Sequence, residues 1–281
     1  MMYTDLALYI DGEWLNGDGR KGEDVINPAT GKSLARLPHA SMADLDRALA
    51  AAQKGLATWR ATQPADRAKI MRKAANLVRE RADAIARVLT QEQGKAFVEA
   101  KGEVIVTADI IEWFAEEGRR AYGRIVPGRK GMRQMVIQEP VGIVTAFTPW
   151  NFPTLTPARK IGASLAAGCS IIIKASEETP GGCVELVKCF EDAGVPPGVS
   201  SEALMTIEQP AAKAPAILRT GVSVGKFHGV KAATTPIGSC MTSWRTPLPR
   251  PGTMRPYERR PSSAYQSMMS ADVITSALAS P

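Results

Sequence analysis

The stretch Ile143-Val144-Thr145-Ala146-Phe147-Thr148-Pro149-Trp150-Asn151-Phe152-Pro153 decides the fold, together with Ser170-Ile171-Ile172-Ile173-Lys174-Ala175-Ser176-Glu177-Glu178-Thr179-Pro180 a helix length later. Ile143 to Phe147 is an unbroken run rich in β-branched residues, as expected of a strand buried on both faces of a sheet. The spacing predicts a helix over 155–167, a second strand over 170–174 and a second helix from about Gly181 to Ala193. A β-α-β-α alternation implies a parallel, doubly wound α/β sheet. Ligands of such sheets collect at the carboxyl ends of the strands. Thr148–Pro153 and Ala175–Pro180 both sit at such ends, which makes them the candidate site.

Outward on the amino-terminal side, Leu8 to Trp14 alternates around an Asp11-Gly12 step, a hairpin signal. Asn27-Pro28-Ala29-Thr30-Gly31-Lys32 reads as a second turn, between short strands at 24–26 and 33–37. Ser41 with Asp44 three residues on forms a capping pattern, and Leu45, Ala48, Leu49, Ala52 and Leu56 follow at helical spacing up to Trp59. Pro64 opens a longer helical region whose inner face carries Ile70, Met71, Ala74, Leu77 and Val78. A break centred on Gly94 precedes a further helix, from about Ala96 to Arg120, with Ile110, Ile111 and Phe114 expected to face inward. Residues 123–131 read as a turn-rich crossing and 134–139 as a strand, ended by Pro140 and Gly142.

On the carboxyl-terminal side the texture changes after Val199. Nine of the 20 prolines and 18 Ser or Thr fall within residues 201–281, without period 2 or period 3.6. Such a segment is expected to be disordered. The formal charge of +7 is concentrated there too: nine Lys/Arg against four Asp/Glu give +5, so the body is nearly neutral. The cations stand singly among Pro, Ser and Thr, which argues against a nucleic-acid surface. The four cysteines show no metal spacing, and two histidines (His39 and His228) are too few for a histidine-based metal site or triad. No apolar run reaches the ~20 residues of a membrane helix, and the start has no secretory pattern. A cytoplasmic protein with reduced thiols is the expectation. Gly17-Asp18-Gly19-Arg20-Lys21-Gly22 spells GxGxxG but lacks a strand before it and a helix after it, so it reads as a loop.

Asn151 and the Lys174–Glu177 pair each have two physical readings. Asn151 can cap the following helix, or its amide can donate to a developing oxyanion, a role worth about 3 kcal/mol in a transition state. Trp150 by itself reads as core. Lys174 and Glu177 are either a solvated pair or a clamp on ribose hydroxyls, in which the carboxylate disfavours a 2′-phosphate. Arg159, on the predicted helix, reads by itself as an ordinary exposed helix arginine.

Six segments in order resemble the amino-terminal part of the aldehyde dehydrogenase superfamily over about residues 8–199. They are Tyr9–Trp14, Asn27–Gly31, Pro149–Pro153, Leu165-Ala166-Ala167-Gly168-Cys169, the Lys174 loop, and Ala193-Gly194-Val195-Pro196-Pro197-Gly198-Val199. Within it the chain looks most like NAD-dependent succinate-semialdehyde dehydrogenases. The resemblance implies a partial aldehyde-dehydrogenase-like fold with four parts: the amino-terminal hairpin and helices (1–122), an oligomerisation-type strand segment (123–140), a β-α-β-α cofactor half with an incomplete doubly wound sheet (141–199), and a non-homologous basic tail (200–281). It implies Asn151 as oxyanion donor and Thr148, Pro149, Trp150, Lys174, Ser176 and Glu177 along an NAD groove. Arg159 would hold the distal carboxylate of a small aldehyde such as succinate semialdehyde. Homo-oligomers are the family habit; nucleic acid and membrane are not expected partners.

The same resemblance calls for a glycine-serine helix start, a glutamate base in Glu-Leu-Gly-Gly and a cysteine nucleophile after Gly-Gln, and residues 200–281 supply none of them. Thr220 to Lys226 echoes the glycine-serine element only faintly, and Cys240 lacks the expected neighbours. No nucleophile or general base is found. A truncated or frame-shifted coding sequence near codon 200 is the expected source of the change. Two functional expectations follow: an NAD-dependent aldehyde dehydrogenase, or an inactive partial cofactor-binding or subunit-assembly module.

Overall fold

Asp11 and Gly12 both take positive φ (54° and 81°), the backbone that a two-residue hairpin needs to match strand twist. They join β1 (Leu8–Ile10) to β2 (Glu13–Leu15) in antiparallel register, Tyr9 opposite Trp14. The structure is a computed structural model that describes residues 3–202. The expectations about the basic tail, Thr220–Lys226, His228 and Cys240 lie outside the described residues. A second hairpin pairs β3 (Gly22–Ile26) with β4 (Ser33–Pro38).

Helix α1 (Met42–Ala61) starts on the capping box that the sequence spells: Ser41 Oγ accepts from Asp44 N at 3.2 Å, and Ser41 N donates to the Asp44 carboxylate at 2.8 Å. The helical region from Pro64 is two helices, α2 (Pro64–Glu80) and α3 (Ala82–Gln93), because Arg81 leaves the helical basin at φ −94°, ψ 9°. Gly94 ends α3 in the left-handed conformation, φ 80°, and α4 runs Phe97–Gly118. Ile111 is inward as expected and Phe114 packs against the core, whereas Ile110 is half-buried on the flank. The inner face is completed by Val104, Thr107, Ala108 and, against expectation, Glu103.

The crossing after α4 holds a strand that its composition hid: β5 (Arg124–Val126) pairs antiparallel with β6 (Gln134–Val136) as a separate ribbon. The main sheet then takes β7 (Ile143–Phe147), helix α5 (Leu155–Ala167), β8 (Ser170–Lys174), helix α6 (Gly181–Ala193) and β9 (Ser200–Glu202). Its order is β2-β1-β9-β8-β7, with β7, β8 and β9 parallel and β1 antiparallel to β9. Two expectations are corrected here. The ordered sheet continues through Glu202, past the change of texture at Ser200, since β9 is seated between β8 and β1. Ile143 to Phe147 is not buried on both faces: Ile143, Val144 and Thr145 are half-buried and Phe147 is exposed. Among the described residues β7 is one edge of the sheet, and β8, with Ser170 to Ile173 buried, lies inside it between β7 and β9.

Helix α1 lies across the strands, with Ser170 Oγ donating to the Ala52 carbonyl at 2.9 Å. It approaches so closely that a Cβ on Gly55 would stand 2.3 Å from the Gly198 backbone. Helices α2, α3 and α4 pack on α5 and α6. Buried Trp59 ties α1 to α5, its indole N–H donating to Leu165 O at 2.8 Å.

Candidate active site

The two motifs meet because β7 and β8 run parallel in register, Phe147 beside Lys174. Thr148 N then donates to Lys174 O at 3.0 Å, one step beyond the paired strands. From there the chain turns through Pro149 to Phe152 and enters α5. Trp150 (54% exposed), Asn151 and Phe152 all face outward from this turn. Trp150 is therefore not core. The Asn151 side chain makes no hydrogen bond among the described residues. The cap reading of Asn151 fails: the residue before α5 is Thr154, and no side chain of its own caps that helix.

In the second loop Lys174 Nζ donates to Glu177 Oε1 at 2.6 Å, both half-buried. Glu178, the neighbouring carboxylate, is exposed and accepts from Ser176 Oγ instead. The two acids are thus separated by partner, and Glu177 is the one beside the lysine. The Ser176 hydroxyl is taken by Glu178 rather than presented outward. Thr179 Oγ1 closes the loop onto the first motif, donating to Trp150 O at 3.0 Å. Arg159, half-buried on α5, has no ion-pair partner among the described residues.

Four residues that sequence reasoning passed over hold these loops. Glu103, buried on α4, accepts from Thr154 N (3.1 Å), Thr154 Oγ1 (2.9 Å) and Leu155 N (3.2 Å), so a carboxylate from another helix caps α5. Lys95 neutralises it and sits 4.9 Å over the Phe152 ring. Glu92, buried on α3, does the same for α6, accepting from Gly181 N (2.8 Å), Gly182 N (2.9 Å) and Tyr3 Oη (2.5 Å). Burial pushes its carboxyl up to about 7, against the pull of those three donors. Gln93 Nε2 donates to Asn151 O at 2.5 Å and reaches Trp150 O at 3.4 Å. A carboxylate inside an otherwise apolar stripe was the available signal: Glu92 follows Ile85 and Leu89, and Glu103 stands between Ala100 and Thr107.

Chemically, the assembly offers an amide donor, an exposed aromatic wall and a lysine-carboxylate pair along one sheet end. It does not offer the N-termini of α5 and α6 to a phosphate, because carboxylates already occupy both. No described thiol reaches the site. Cys169, Cys183 and Cys189 are buried, and burial pushes the Cys189 thiol up to about 12. Among the described residues no cluster of His, Cys, Asp and Glu could hold a metal ion, and no helix is long and apolar enough to cross a membrane. The Gly17–Gly22 segment is a loop whose Arg20 anchors Asp44 at 2.5 Å.

The aldehyde dehydrogenase family profile matches residues 14–222. A glutarate-semialdehyde dehydrogenase of Pseudomonas putida is 44% identical over 194 residues, covering 69% of this chain and 40% of that protein. An NADP(+) succinate-semialdehyde dehydrogenase of Escherichia coli is 44% identical over 199 residues, covering 70% and 41%. A solved succinate-semialdehyde dehydrogenase from Burkholderia pseudomallei superposes with a TM-score of 0.69 at 44% identity, covering 71% of this chain and 42% of that one. The chain thus spans about two fifths of the length of the relatives it matches. With the family profile matched over residues 14–222 and relatives 44% identical over about 70% of the chain, this chain belongs to the aldehyde dehydrogenase family.

Proposed function

We propose that the chain carries the cofactor-side half of a nicotinamide-dependent aldehyde dehydrogenase site. The observation that supports this most directly is the Lys174–Glu177 pair at the end of β8, tied by Thr148 and Thr179 to a turn that presents the Asn151 amide. When bound, the dinucleotide supplies the hydride acceptor for aldehyde oxidation. Lys174 and Glu177 would hold its adenosine ribose, and Trp150 with Thr148 and Pro149 would wall the groove. Ser176 would act indirectly, by engaging Glu178 and leaving Glu177 to the ribose. The Asn151 amide, unengaged and outward, would donate to an oxyanion. Arg159 would anchor the far carboxylate of a short aldehyde such as succinate or glutarate semialdehyde; its lack of a carboxylate partner among the described residues supports that.

NAD is favoured over NADP because Glu177 places a negative charge where a 2′-phosphate would sit. The nucleophile and base motifs are missing from residues 200–281, so this chain lacks turnover of its own and acts as a partial cofactor-binding or subunit-assembly module. Titrating NADH and NADPH against the full chain by nucleotide fluorescence tests the first point. Tighter NADH binding is expected, by roughly tenfold, narrowed in Glu177→Gln. NADH formation from succinate semialdehyde and NAD tests the second; measurable turnover contradicts the reading.

A further inference from the structure

The α3–α4 turn, Gln93-Gly94-Lys95, touches the Trp150–Asn151 turn with both of its polar side chains. Gly94, at φ 80°, reverses the chain tightly enough to aim both of them at one target. Gln93 Nε2 bonds the Asn151 carbonyl at 2.5 Å and approaches that of Trp150 at 3.4 Å; Lys95 Nζ stands 3.4 Å from the Asn151 carbonyl. Trp150 O is also held by Thr179 from the lysine loop. The backbone of the turn is thus gripped from behind, while the Asn151 side chain points away unengaged.

The other end of the Gln93 amide is informative. Its Oε1 is buried and has no hydrogen-bond partner among the described residues. A buried acceptor left without a partner costs stability, so Gln93 is a poor choice for stability alone. An isosteric Met would bury without that cost. A Glu would set a carboxylate against two carbonyl oxygens. Only a side chain that donates at this distance holds the turn, and the structure tolerates an orphaned carbonyl to keep it.

We infer that Gln93 is a positioning residue, whose amide fixes the Trp150–Asn151 backbone so that the indole wall and the Asn151 donor stay registered with the Lys174–Glu177 pair. The inference rests on the cofactor-side reading proposed above. The test compares the full chain with Gln93→Met, Gln93→Glu and Lys174→Met, using hydrogen exchange, thermal unfolding and NADH affinity. Gln93→Met and Gln93→Glu should speed exchange within 148–153 by about fivefold to tenfold, the worth of one net hydrogen bond. Both should weaken NADH by a similar factor, and Gln93→Met should leave the unfolding midpoint unchanged or raised. Unchanged exchange at 148–153, or faster exchange spread evenly over α3 and α4 with a lowered midpoint, overturns the inference. Lys174→Met separates the two readings. If the unmodified chain binds no NADH, or binds it as Lys174→Met does, the cofactor reading fails and local exchange alone decides the role of Gln93.

Discussion

Glu92 is the residue whose environment departs furthest from its sequence appearance. It is 3% exposed, and its carboxylate caps two backbone N–H groups of α6 while taking the Tyr3 hydroxyl. A carboxyl pushed up to about 7 from a usual 4.5 binds more protons folded than unfolded. Its contribution to stability is therefore fully present below about pH 4.5 and is lost as pH rises through about 7. A shift of that size corresponds to about 3 kcal/mol at most. Urea unfolding of the full chain at a series of pH values should show stability falling between pH ~5 and ~8, and Glu92→Gln should flatten that slope. A slope that is unchanged in the variant would assign the titration elsewhere. Asp44 has the opposite sign: Arg20 and the Ser41 cap hold its carboxyl well below the usual range, so its contribution fades only in acid. The Asp44 cap was legible as a local i, i+3 pattern; the Glu92 cap joins residues 89 positions apart and was not.

At the scale of elements, the closest approach is α1 against the loop that enters β9. Gly55 and Gly198 face one another: a Cβ on Gly55 would lie 2.3 Å from Gly198 C and 2.5 Å from Val199 N. Helix propensity favours alanine at an interior helical position by about 1 kcal/mol. The obstruction is backbone on both sides, however, and cannot rotate away. Gly55→Ala is expected to destabilise by roughly 1–3 kcal/mol despite the gain in propensity, as measured by the shift in denaturation midpoint. The same substitution at Gly102, where nothing lies within 4 Å, should stabilise and serves as the control. Helix boundaries at Ser41, Pro64 and Gly94 were readable because caps and breakers act locally. The split of α2 from α3 at Arg81 was not, since no glycine or proline marks it and only the packing of each helix separates them.

For the whole molecule, the unpaired side of β7 and the β5–β6 ribbon are the exposed features of consequence. Ile125, Met132, Met135, Ile137 and Val141 are all exposed on or beside that ribbon, alongside Phe147 at the end of β7. Exposed apolar side chains grouped along a ribbon are characteristic of a face that meets another chain, and an open strand edge invites pairing. Sedimentation of the full chain should show concentration-dependent association, and Ile125→Lys with Ile137→Lys should shift it toward monomer. A monodisperse monomer across the concentration range would remove this expectation.

The amino-acid sequence by itself determined the β-α-β-α unit, the Asp11-Gly12 hairpin, the caps and the family, because each is written in short-range periodicity, turn chemistry or contiguous motifs. It also brought Asn151, Lys174 and Glu177 forward as candidates. Only the tertiary structure decided which strand is central, that the amino-terminal hairpin joins the sheet through β9, and that Asn151 caps nothing. It alone placed Glu92 and Glu103 on the helix starts and Gln93 behind the turn. Those relations connect residues tens of positions apart through hydrogen bonds, and side chains that meet only after the chain has folded leave no local pattern to read.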